Sequence, residues 1–192
     1  MGSVAAFLSI AMGKTDSPQH RKFGLWIAVG LLFGAGGDVC LQLDDQSDSF
    51  FLPGLASFLI GHIAYIVGMW YGGIRLSAWS VAPMLVVVGG LLTVLLPKVD
   101  SDLVGPVAAY AATIGAMGAA ALAWEGEEGI KSFLLIGSLS FVVSDSILAF
   151  DRFHTQLPSS FFLVMVTYYA AQFCFAWAAM EASDLVVKNK KS

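Results

Sequence analysis

Charge is what this sequence has least of. Only 12% of its 192 residues are charged and 57% are hydrophobic. A soluble domain carries about twice that charged share, so an ordinary water-soluble globule is excluded. The mean hydropathy of +0.77 agrees. Cysteine is scarce too. Cys40 and Cys174 both fall inside apolar runs; they read as buried thiols and exclude a disulfide framework. There is no broad basic face, so no nucleic-acid partner is expected. His20, His62 and His154 are scattered, so no metal-ligand cluster and no metal cofactor is expected.

Long apolar runs are what the chain does have. Six are long enough to cross a bilayer, which takes about 20 apolar residues. They cover 23–43, 51–71, 76–96, 103–124, 130–150 and 158–180. The joints are short and hold most of the charge. Twenty glycines spread through the runs suit closely packed membrane helices. The spacing predicts an all-α polytopic membrane bundle, residues 1–192 forming a single membrane domain. The start, "MGSVAAFLSIAM", is apolar but reaches about 18 Å as a helix. It reads as a partial N-terminal helix, the remaining half of a truncated span, with a helix lying on the membrane surface as the alternative.

Eight of the ten Lys and Arg residues fall on one side of this layout, and Lys98 and Arg152 on the other. The positive-inside bias therefore expects the C-terminus in the cytosol. The final "KNKKS" has the spacing of an endoplasmic-reticulum retrieval signal or of a basic anchor.

Two stretches share the pattern G-x7-D-x2-L-x2-D: "GLLFGAGGDVCLQLDD" from 30 to 45 and "GSLSFVVSDSILAFDR" from 137 to 152. Their offset of 107 also pairs Ala64 with Ala171 and Trp70 with Trp177. A parallel internal repeat is expected, with halves at about 1–71 and 103–180 joined by the linker span 76–96. Such a repeat sets Asp38 and Asp145 at one depth on one side, about 8 Å inside the end of each span at 1.5 Å per residue. A carboxylate at that place is costly and usually functional. His62 and Tyr65 stand one turn apart on the next span, and Tyr168 and Gln172 on the last. Each also has a packing or hydrogen-bonding reading; Gln42, one turn after Asp38, would orient it or cap the helix.

The motifs "GLLFGAGGD", "FLPGLASFLIGHIAYIVG", "GSLSFVVSDSILAFDRF" and "VTYYAAQ" together resemble the lysoplasmalogenase, or YhhN-like, family of multispan membrane proteins. The resemblance covers about residues 23–182. It implies hydrolysis of the vinyl-ether bond of lysoplasmalogens to a fatty aldehyde and glycerophosphocholine or glycerophosphoethanolamine, without a cofactor. It also implies that Asp38 and Asp145 are the key acids, with His62, Tyr65, Tyr168, Tyr169 and Gln172 around the substrate. The family's first span and its Lys-Pro motif have no counterpart here.

Vinyl-ether hydrolysis needs an acid to protonate carbon and a base to take a proton from water, as in glycosidases with paired carboxylates. Two close carboxylates in an apolar pocket are expected to share one proton. Arg152, and less so Lys98, would meet the phosphate of a lysophospholipid. Three rival readings are a transporter with the same three-one-three repeat, an intramembrane aspartyl protease, and an inactive family member. The protease would need Gly where this chain has Ala35.

Overall fold

The computed structural model describes residues 18–44 and 49–189, the last six without their side chains. The partial helix expected at the start, and with it the first part of the repeat, lies outside the described residues, as do Lys190 and Lys191. Six helices follow in order: α1 (Pro18–Asp44), α2 (Phe51–Gly72), α3 (Ala78–Leu95), α4 (Ser101–Leu122), α5 (Glu128–Phe153) and α6 (Ser160–Asn189). Each contains a stretch long and apolar enough to span a membrane. The chain is an all-α polytopic membrane bundle.

Local chemistry sets the ends. Pro18 opens α1, where its missing N–H is harmless. Ser77 and Ser80 form a reciprocal capping box at the start of α3. Gly73 ends α2 at φ 100, a conformation a side chain would resist, with its N–H on the carbonyls of Met69 and Trp70. Beyond α1 the Phe50 N–H donates to the Asp44 carboxylate (3.1 Å), and beyond α5 the Leu157 N–H donates to Asp151 (2.7 Å). Both bonds span six residues. Gln42, by contrast, is exposed.

The most extensive pairings are α1 with α2 and α5 with α6. Contacts of α2 with α4, α4 with α5 and α6 with α1 close a five-helix ring, and α3 packs outside it, mainly on α4. Small residues let the backbones approach. A side chain at Gly34 would collide with Gln172, and one at Gly72 with Trp124. Inside the ring lie Phe23, Tyr65, Met69, Phe141, Tyr168 and Phe175. Outside, Trp79, Val86, Phe161 and Phe162 are exposed, as expected where the surroundings are hydrocarbon.

At one end the ring is stoppered. Trp124 is buried against Phe23, with Gly72 and Gly126 beneath its indole. The loop after α2 and the loop after α4 are tied there by backbone bonds, Arg75 N–H to Ala123 O (2.8 Å) and Glu125 N–H to Gly73 O (3.2 Å). The exposed Arg75–Glu125 pair adds little to them.

Candidate active site

The two intramembrane aspartates each hold a phenol. Tyr168 of α6 donates to Asp38 of α1 at 3.1 Å. Tyr110 of α4 donates to Asp145 of α5 through a short hydrogen bond. Among the described residues neither carboxylate is bonded to the other, so the expected shared proton is not what the geometry provides. The ring order is the reason: α6 lies between α1 and α5.

Asp38 ends a directed chain. The Tyr65 hydroxyl donates to the Gln172 carbonyl (2.7 Å), the Gln172 amide donates to the Tyr168 hydroxyl (2.7 Å), and Tyr168 donates to Asp38. Tyr65 and Gln172 are 107 residues apart, the offset read from the sequence. Chains of this kind polarise every member in one direction. The rings that hold it are close-packed: Tyr65 stacks on Phe175 (centroids 4.1 Å apart), and Phe141 contacts Tyr65 and Tyr168 at 5.8 and 5.7 Å.

His62 lies inside this aromatic shell, 2% exposed, edge-on to Phe141 (5.0 Å) and to Tyr110 (5.4 Å). Among the described residues its Nδ1 has no hydrogen-bond partner. A buried unpaired nitrogen is costly, so this atom has capacity for a further hydrogen bond.

Asp145 and Tyr110 also line an apolar cleft between α3, α4 and α5, bordered on a further side by Leu41 of α1 and by Phe51, Leu55 and Phe58 of α2. Its walls are Leu, Val, Ile, Ala and Phe side chains, and its polar residues are Tyr110, Asp145, Ser146 and Arg152. Arg152 stands at the mouth. Its guanidinium pairs with Asp44 (3.4 Å) and lies over the Phe51 ring (4.6 Å).

Of the residues expected from the sequence, Asp38, Tyr65, Tyr168 and Gln172 form the hydrogen-bonded chain, His62 lies beside it, and Asp145 and Arg152 line the cleft. Tyr169 is separate. It is 57% exposed and touches the cluster only through the edge of Tyr168. Neighbouring residues on a helix point about 100° apart, so Tyr168 and Tyr169 cannot both face inward. Tyr110 is the partner that no motif singles out. Its one signal is isolation, as the only tyrosine in an Ala- and Gly-rich span. No group of His, Cys, Asp or Glu suited to a metal ion occurs among the described residues.

Known proteins give the arrangement a lineage. Human lysoplasmalogenase TMEM86B is 33% identical over 152 residues, which cover 79% of this chain and 62% of that protein. Bovine lysoplasmalogenase TMEM86A is 34% identical over 169 residues, 83% of this chain and 67% of that protein. The chain therefore spans about two thirds of the length of the relatives it matches. No solved structure matches it. The YhhN family profile runs across residues 2–179, through both aspartates and every helix from α1 to the greater part of α6, and the chain belongs to that family.

Proposed function

We propose that this chain hydrolyses the vinyl-ether bond of lysoplasmalogens, releasing a fatty aldehyde and glycerophosphocholine or glycerophosphoethanolamine. The observation that carries the reading is Asp145, with its Tyr110 partner, in the wall of an apolar cleft; the relatives named lysoplasmalogenases supply the reaction class.

In this reading Asp145 is the acid that meets the lipid. Its proton passes to the vinyl carbon two atoms from the ether oxygen, and an oxocarbenium ion forms at the neighbouring carbon. Water adds to that carbon and gives a proton to a base. The hemiacetal then collapses: its hydroxyl proton passes to Asp145 as the aldehyde carbonyl forms, the bond to the glycerol oxygen breaks, and that oxygen gains the proton the base took from water. No electrons leave or enter, so no redox cofactor is called for. Tyr110 fixes the orientation of the Asp145 carboxyl. Asp38, held by Tyr168 at the end of its chain of donors, is the second carboxylate and takes the proton of the water. His62 Nδ1 holds that water. Arg152 at the mouth, paired with Asp44, meets the phosphate. The basic C-terminal tail supports residence in the endoplasmic reticulum with the C-terminus in the cytosol.

The test is turnover of lysoplasmalogen by the purified chain, with aldehyde measured and an acyl lysolipid as control. Asp145→Asn and Asp38→Asn should each remove most aldehyde release. The double change should cost little more, because residues acting as one unit are not additive. Near-normal turnover in either single variant, at matched thermal stability, defeats the assignment.

A further inference from the structure

The cleft has a direction. Arg152 and Asp145 lie on the same wall, seven residues apart on α5, or about 10 Å along the helix. Tyr110 faces them from α4. Five residues further along α4 is Gly115, and Val88 of α3 sits directly on its backbone. That is about 8 Å beyond Tyr110. One turn on, Met84 of α3 sits on Gly118 in the same way, buried, and seals the α3–α4 seam. The trough thus has a charged mouth, an acid partway along and a stop shortly after it.

A hydrocarbon chain longer than that stop allows must leave sideways. The way out is beside α3, which packs well on α4 but touches α5 little and α2 less. Val87 of α3, in the wall of the cleft, is 43% exposed, and in a membrane it faces lipid. An aqueous solute would find no polar wall there. A lipid with one chain has the matching form, an anionic headgroup for Arg152 and a single chain for the single trough.

We propose that this cleft is the subsite for the hydrocarbon chain of a single-chain lysophospholipid. The chain enters sideways from the membrane beside α3, and Val88 on Gly115 turns it outward. The identity of the lipid rests on the hydrolase reading; the existence of the subsite does not. The turned-out chain end lies in the bilayer, so chain length beyond the stop has little effect on binding.

Photo-crosslinking reads this directly. The probes are alkyl-ether lysophosphocholines, which lack the double bond and are not hydrolysed, carrying a diazirine at mid-chain or at the chain end. The mid-chain probe should label Leu91, Tyr110 and Val142, and the chain-end probe Val87. Leu91→Trp or Ala149→Trp fills the trough, and each should lower mid-chain labelling and kcat/KM at least tenfold. Leu85→Trp, on the exposed face of α3, should change neither. Label spread evenly over outward-facing residues, labelling unaltered by both filling variants, or equal labelling of the trough by a two-chain phosphatidylcholine probe would overturn the proposal. If the unaltered chain turns over no lysoplasmalogen while mid-chain label stays in the trough, the hydrolase reading fails and the subsite stands.

Discussion

The chain of donors that ends on Asp38 makes a graded prediction. Tyr168→Phe keeps the ring contacts with Phe58 and Phe141 but removes the one phenol that donates to the carboxylate. A hydrogen bond to a charged group contributes about 1.5–3 kcal/mol. If Asp38 works in the transition state, that loss is about tenfold to a hundredfold or more in kcat, at 1.36 kcal/mol per factor of ten. Tyr65→Phe removes a neutral bond two links away, and neutral bonds contribute about 0.5–1.5 kcal/mol. Its effect should be about twofold to tenfold. Gln172→Met breaks both of its bonds and should fall between the two. The assay is aldehyde release by detergent-purified variants with matched melting temperatures. If Tyr65→Phe proves as damaging as Tyr168→Phe, or all three turn over normally, the chain is a packing device and does not serve Asp38.

Asp44→Ala and Asp151→Ala each strip a carboxylate from a backbone N–H, so each should lower stability by about 1–3 kcal/mol. The two losses should be nearly equal, because Arg152 is 45% exposed and its pair with Asp44 is partly screened; thermal unfolding in detergent measures both, and a far larger loss at Asp44 would contradict this. Trp124→Ala empties the stoppered end and should cost about 3–5 kcal/mol by the same measurement; a loss below about 1 kcal/mol would show the stopper to be loose. A glycosylation acceptor fused after Ser192 should remain unmodified in cells, because eight of ten basic residues lie on the C-terminal side; efficient modification would invert the orientation.

Hydropathy located all six spans, since crossing a membrane leaves a run that few other structures require. It placed their ends less well. The run expected over 23–43 is a helix from Pro18, and that expected over 158–180 continues to Asn189. A helix backbone carries on through polar residues such as Gln19, His20 and Arg21 after the apolar signal has stopped. Asp38 and Asp145 were legible because an acid in an apolar run is rare. Tyr110 was not, because a tyrosine fits such a run without contrast. Asp44 was visible in the repeated pattern as a letter. Its work, holding the chain where it turns after α1, depends on an N–H six residues away that no spacing rule names. Asp38 and Asp145 matched as letters, and their different phenols follow from which helices flank each in the ring.

The Trp124 stopper has a consequence for traffic. Among the described residues one end of the ring is shut by an indole and two laced loops, while Arg152 marks the mouth of the cleft at the other. Along the axis of the ring that leaves a single opening. On the proposed hydrolase reading, a polar fragment released inside would depart by the face the lipid came from, and an apolar fragment would slip back into the same leaflet. On that reading the protein would thin the lysolipid of one leaflet without drawing on the other.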